Sequence, residues 1–260
     1  MKIFRTAIAA AALAALLVAC KPAADDAKPS KAEKAFGESV RAYLLAHPEV
    51  LEEVVVKLKE KRETEALQAQ AGAHEDAKRL IPQYRQALER DARDFVANPN
   101  GRITVVEFFD YNCGYCKLAA PEVLRIIEEN PDIRFVFKEF PIFGATSDTA
   151  ARVALTPAAK GKGLALYKAW MAEKPLDEAG IDRHLSQVGL DPGAVRKAAA
   201  DPAITKQVQD VRALAETLKL QGTPAFIVGN TLIPGADIGA LRAAIIQAKA
   251  GDMKPTAKDG

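Results

Sequence analysis

The chain has 260 residues, with 36 Lys and Arg against 34 Asp and Glu, 49% hydrophobic and 27% charged. That length holds one sizeable core with an appendage, and the composition is ordinary for a globular protein. Three cysteines are too few for a disulfide framework, and the near-balanced charge argues against nucleic acid as a partner, because phosphate binding needs a basic surplus.

Lys2 and Arg5 precede an uninterrupted apolar run over 7–19 that ends at Cys20. A charged start and an apolar run of this length read as a secretory signal, since a spanning helix needs ~20 residues. Leu17-Val18-Ala19-Cys20 resembles a bacterial lipobox, in which Cys20 is acylated and becomes the mature N-terminus. The alternative is a plain signal peptide with an incidental cysteine. Cleavage before Cys20 removes two bases and leaves 34 bases facing 34 acids, so the charge of the precursor says nothing about partners. An exported chain also lives where disulfides persist.

Residues 20–35 are rich in Ala, Lys, Asp and Pro without apolar periodicity and read as a lipidated flexible tether, with an ordered extension as the alternative. Residues 36–96 read as a helical extension. Val40, Tyr43 and Leu44 form one apolar patch, Pro48 sits at a first-turn position, and Val50, Leu51, Val54, Val55 and Leu58 share one helix face. From Lys59 to Asp76 the composition favours helix, but the stripe of Ala66, Ala69 or Gln70, and Ala73 is thin. Such a helix is either a solvated spacer or is completed by another copy of the chain. Pro82 interrupts, and Tyr84, Leu88 and Phe95 suggest a last helix leading into the main domain.

Residues 97–250 read as that domain. Ala97-Asn98-Pro99-Asn100-Gly101 is a turn, and Arg102–Phe109 is a β-branched and aromatic strand carrying one acid, Glu107, where burial is expected. Cys113-Gly114-Tyr115-Cys116 follows, then a helical pattern kinked at Pro121, then a strand over Ile133–Phe140. Residues 147–220 are Ala-rich and helical, with breaks near Pro157, Gly161, Pro175, Gly189 and Pro202. A proline-led strand over Gly222–Val228, a returning strand at Thr231–Ile233 and a helix over Ile238–Ala248 close the domain, and 251–260 read as a frayed tail. The pattern β-α-β, helical insert, β-β-α indicates an α/β class, and with the cysteine motif it indicates a thioredoxin fold with an inserted helical block.

With Cys20 committed to lipid, Cys113 and Cys116 remain, three apart at a strand-to-helix junction. A helix N-terminus stabilises a thiolate at its first position and lowers its pKa, commonly to ~3.5–7.5. Cys113 would then attack a substrate disulfide and Cys116 would resolve the mixed disulfide. Three other readings compete. Structural zinc needs four ligands, and His47, His74 and His184 are scattered far from the pair. A permanent disulfide across so short a loop is a poor staple. Two thiols also suit Cu(I).

V-E-F-F-D-Y-N-C-G-Y-C-K, F-K-E-F-P-I and G-T-P-A-F together resemble the DsbA-like family of exported thiol–disulfide oxidoreductases over roughly 101–248. R-A-Y-L-L-A-H-P-E-V-L-E-E is similar to the N-terminal extension of its ScsC-type and Com1-type branch. The resemblance implies that Cys113 is the nucleophile, Cys116 the resolving thiol, and Thr223-Pro224 the cis-proline pair that binds an extended substrate. It implies that Glu107 is a buried acid managing the proton of the second thiol, with an exposed strand residue as the alternative. Lys138, in the next strand, either pairs with Glu107 in a proton network or faces solvent.

The strongly oxidising members carry Pro-His between the cysteines, whereas this chain has Gly114-Tyr115, the pair used by the separate DsbC-type isomerases. A weaker oxidant is expected, and oligomers built through the N-terminal helices would suit isomerisation. The expected protein is a periplasm-facing lipoprotein of the bacterial cell envelope that catalyses thiol–disulfide exchange, with isomerase or reductase activity favoured. Its expected partners are unfolded or misfolded exported proteins, held near Pro224 and Tyr115, and a membrane redox partner that recharges the pair. It needs no metal or organic cofactor. The alternatives are a dithiol oxidase and a Cu(I)-binding lipoprotein.

Overall fold

The computed structural model describes residues 30–252, which divide into two compact units between Glu63 and Thr64. The signal segment and Cys20 lie outside the described residues, as do the end of the tail and the side chains of the thin alanine stripe.

The first unit consists of helix α1 (Lys31–Ala46) and the opening turns of α2 (Glu49–Leu80). Ser30 caps α1 reciprocally: its Oγ accepts from the Glu33 amide at 3.3 Å, and its own amide donates to Glu33 Oε2 at 2.7 Å. This capping box starts the helix at Lys31, so the last five residues assigned to a flexible tether are helical instead. His47 and Pro48 separate the helices, since proline has no amide to continue the ladder. No residue of α1 is buried. Phe36, Tyr43, Leu45, Leu51, Val54, Val55 and Val56 are all more than half exposed.

The second unit is built on a five-stranded sheet in the order β1-β3-β2-β4-β5, comprising β1 (Phe95–Ala97), β2 (Ile103–Phe109), β3 (Ile133–Glu139), β4 (Ala225–Val228) and β5 (Thr231–Pro234). Only the β2–β3 pair is parallel. It requires a crossover, which helix α4 (Gly114–Glu129) supplies. Short helix α3 (Arg85–Glu89) precedes β1.

Between β3 and β4 lie α5 (Ala145–Ala154), α6 (Pro157–Lys160), α7 (Gly163–Ala172), α8 (Glu178–Gln187), α9 (Pro192–Ala199) and α10 (Pro202–Thr217). Helix α11 (Ile238–Asp252) closes the fold. Thr156, Asp191 and Asp201 each cap a helix whose first residue is proline, which explains why sequence punctuation divides the insert into short pieces.

Phe95, assigned from sequence to a helix, instead lies in β1. It pairs with Phe137 across the strands, with their rings stacked at 5.2 Å. A three-residue strand has no periodicity of its own, and the free edge of β3 dictates its conformation.

Period-two alternation sends Val105, Glu107 and Phe109 to one face of the sheet, and Val106 and Phe108 to the other. The first face packs on α4, α7 and α11; the second packs on Ile81, Leu88, Val211 and Leu214.

This register corrects the expectation for Lys138. Glu107 is registered with Phe137, whereas Lys138 is registered with Phe108 and so lies on the opposite face. Its ammonium donates to Asp94 and to the Ala87 carbonyl, and both side chains of the ion pair are buried. Burial pushes Asp94 up to about 6, against the lowering pull of the ammonium.

A buried carboxylate stripped of its partner costs about 3–5 kcal/mol. Lys138→Met is therefore expected to lose that much stability in urea unfolding. The double variant Lys138→Met/Asp94→Leu should recover most of it, and equal losses in single and double variants would refute the pairing.

Candidate active site

The active-site helix starts where a short polar loop leaves the sheet. Asp110, just past β2, is buried and acts as the loop's organiser. Its Oδ1 accepts from the Asn112 amide at 2.6 Å and Ser147 Oγ at 2.7 Å; its Oδ2 accepts from the Ile142 and Phe143 amides at 2.7 and 3.0 Å. Asn112 pairs with both backbone groups of Leu176, at 3.0 and 3.1 Å. These bonds fix the cysteine loop to the strand end and to the inserted helices. Sequence reading did not single out Asp110 or Asn112, although both stand directly before the motif.

Cys113 is the N-cap of α4 and Cys116 lies one turn on. Both are free thiols, and Cys113 is only 2% exposed. Cys113 Sγ lies 3.2 Å from the Thr223 carbonyl, to which its thiol donates. The Thr223–Pro224 peptide is cis. The Cys113 thiol is lowered to about 6, first by the hydrogen bond from the Cys116 thiol, against burial. The Thr223 side chain and the amides of Cys116 and Tyr115 add to the lowering. The Thr223 hydroxyl has no other protein partner, so its hydrogen is free to serve the thiolate.

Cys116 is pushed far upward, mainly by burial, then by its bond to Cys113 and the charge of Glu107. The pair is therefore polarised: a ready thiolate at 113 and a held proton at 116.

Glu107 is 0% exposed, as its strand position implied. Burial pushes it up to about 8; the Tyr167 hydroxyl, donating to both carboxylate oxygens at 3.3 Å, opposes this, and the Cys113 charge adds to it. A carboxyl titrating near neutrality beside a thiol that must lose its proton is suited to general-base work. Tyr167 had no sequence signal, because it stands 60 residues away in the insert.

Tyr115, between the cysteines, is 67% exposed; Leu118, 69% exposed, lines a groove of about 820 Å³ across from Phe143, 54% exposed. Gly114, Lys117, Lys174 and Pro175 also line this groove. Lys117 donates its ammonium to the Glu173 carbonyl. The thiol itself is recessed beneath this apolar rim. Among the described residues no cluster of three or more His, Cys, Asp or Glu is arranged to hold a metal ion, and no helix is long and apolar enough to cross a membrane.

Comparison with known proteins matches residues 104–245 to the DSBA-like thioredoxin domain and residues 33–66 to the copper resistance protein ScsC N-terminal domain. A thioredoxin-like oxidoreductase of Silicibacter pomeroyi is 38% identical, with a TM-score of 0.60 over 64% of this chain and 98% of its own. Proteus mirabilis ScsC in a transitional conformation is 28% identical, with a TM-score of 0.61 over 86% of this chain and 100% of its own. The Wolbachia pipientis thiol-disulfide exchange protein alpha-DsbA2 is 28% identical, with a TM-score of 0.61 over 67% of this chain and 96% of its own. The Na(+)/H(+) antiporter NhaA 3 of Salinispora tropica is 30% identical over 162 residues, but the chain spans only 25% of that relative's length. The matched domain covers more than half of the sequence and contains both cysteines, Glu107 and Thr223-Pro224, so the chain belongs to the DSBA-like thioredoxin family of thiol–disulfide oxidoreductases.

Proposed function

We propose that the protein exchanges disulfides in exported polypeptides through Cys113 and Cys116, with isomerisation or reduction favoured over net oxidation. The observation that carries this reading is the asymmetry of the pair: Cys113 lowered to about 6, Cys116 raised, and Glu107 beside them. Cys113 attacks a substrate disulfide, the other substrate sulfur leaves as thiolate, and Cys116 then displaces the substrate from Cys113 or the substrate rearranges itself. Thr223, Pro224 and Tyr115 are the proposed substrate contacts. No imidazolium stands between the cysteines, and a thiolate at about 6 is less stabilised than the ~3.5 of a strong oxidant, which favours the milder direction.

The working location is the periplasmic side of the cell envelope, with Cys20 lipidated and a membrane partner recharging the pair. The test is refolding of scrambled ribonuclease in a glutathione buffer by reduced protein from residue 21 onward. Recovery that Cys113→Ala abolishes supports isomerisation. Rapid oxidation of reduced ribonuclease instead would identify a dithiol oxidase, and stoichiometric Cu(I) binding without either turnover would favour metal binding.

The first unit is proposed to join copies of the chain. Seven of its large apolar side chains are more than half exposed, and a second copy would cover them. Val54→Glu/Val55→Glu is expected to convert an oligomer to a monomer in light scattering and to reduce isomerase activity while sparing Cys113 reactivity. A monomeric wild type would overturn this assembly.

A further inference from the structure

A second buried carboxyl lies on the active-site face of the sheet. Glu139 ends β3 and is registered with Phe109, two residues beyond Glu107 on β2, so both acids project to the same side. Tyr111 donates to Glu139 Oε1 at 2.9 Å, while Oε2 is buried with no hydrogen-bond partner. Such an orphaned atom is costly unless something satisfies it.

A small cavity adjoins it, lined by Glu139, Tyr111, Tyr167, Phe109, Phe137 and Ala159 among others. The cavity is small, about 10 Å³, with room for an ordered water. The Tyr111 and Tyr167 rings are 6.4 Å apart and both pack edge-on against Phe109, at 5.0 and 5.4 Å. Two buried tyrosine–carboxyl pairs therefore flank one aromatic ring, beside a mostly apolar cavity whose polar lining is Glu139, Tyr111 and Tyr167.

We propose that Glu139 is a positioning residue for the exchange reaction: as a neutral acid it donates through Oε2 to a single cavity water, which donates to Tyr167, so that Tyr167 points its hydrogen at Glu107. Each link of the row has one donor and one acceptor. Tyr111 donates to Glu139 Oε1, Glu139 to water, water to the Tyr167 oxygen, and Tyr167 to Glu107. An acid kept neutral by apolar surroundings is a known way to supply a buried donor. Burial holds Glu139 well above the usual carboxylate range, and Asp110, Glu107 and Asp94 push the same way. Tyr111 and Tyr167 are the other titratable groups facing it, and both are themselves raised. A row polarised toward Glu107 stabilises its carboxylate, so that more of it is in the base form at neutral pH to take the Cys116 proton.

The inference rests on the exchange reading, and its test separates the two. A full-chain protein is mixed with a peptide disulfide, and the rate of release of the Cys113 mixed disulfide is followed against pH. Glu139→Leu breaks the row and should move the Glu107 midpoint up by about one pH unit, slowing release at neutral pH about tenfold. Glu139→Gln can accept from Tyr111 and donate to the water, so it should retain the wild-type profile.

An unmoved profile in Glu139→Leu overturns the proposal. So does a downward shift in both variants, which would mean that Glu139 acts as a charge. Should Glu139→Leu fail to fold, Ala159→Val fills the cavity from the other side and should give the same upward shift, and an unchanged profile there overturns the water. A wild type that forms no mixed disulfide removes the exchange reading itself, and this inference with it.

Discussion

Cys113→Ser is expected to abolish disulfide exchange, by about 10³-fold or more, because a serine hydroxyl is not ionised near neutral pH. The wild-type thiol, at about 6, is roughly nine-tenths thiolate at neutrality, whereas an ordinary thiol near ~8.5 is a few per cent. Cys116→Ala should behave differently. It keeps the first attack and traps the mixed disulfide at Cys113, because no second thiol displaces the substrate. It also removes the strongest influence lowering the Cys113 thiol, the Cys116 hydrogen bond. The ultraviolet titration of the Cys113 thiolate should therefore move upward in Cys116→Ala. An unchanged titration would mean that the helix-start amides and Thr223 carry the stabilisation alone.

Glu107→Gln carries the second large effect, in two measurements of opposite sign. The carboxyl rises from its ordinary 4.5 to about 8 on folding, chiefly through burial. The folded state therefore binds more protons than the unfolded state between those values. The contribution of Glu107 to stability should be greatest below about 4.5, fall as pH rises through the interval, and level off above about 8. The total loss is on the order of 3–5 kcal/mol. Glutamine cannot ionise, so the variant should lack this slope and be the more stable protein at pH 8. Its resolving step should slow by about 100-fold, the ordinary contribution of a general base. Chemical unfolding at several pH values reads the first effect and accumulation of the mixed disulfide reads the second. A variant with wild-type slope and wild-type release would mean that Glu107 neither titrates in the interval nor takes the proton.

Much of this site was legible in local chemistry. The β-branched run before the cysteines marked a strand, and the single acid within it marked a buried carboxyl, since a charge among Val, Ile and Phe has no solvent to face. The helix after the motif was legible from its apolar period despite Pro121, which the helix accommodates internally. The proline and aspartate punctuation of the insert gave its short helices, because each supplies a cap or a first turn independently of the rest of the fold. The start of α1 was also within reach: Ser30 and Glu33 form a four-residue capping signature that composition alone obscured.

Other features required the tertiary structure. Adjacent strands make Lys138 a candidate partner of Glu107, with solvent as the alternative. Which face each takes depends on the register between the strands, and a shift of one residue reverses the answer. Phe95 belongs to a strand only because β3 offers it an edge. Tyr167, Asp110 with its contacts to Ile142, Phe143 and Ser147, and the Tyr111–Glu139 pair are joined across long separations in sequence, and nothing local marks them.

The sequence by itself determined most of the elements and the cysteine pair proposed as nucleophile and resolving thiol, because helix starts, alternation and thiol spacing are short-range properties of the backbone and side chains. Only the tertiary structure decided which groups hold protons beside that pair. Burial and opposing hydrogen bonds set a carboxyl's charge, and both arise from residues that meet only when the sheet and the inserted helices have closed around Glu107.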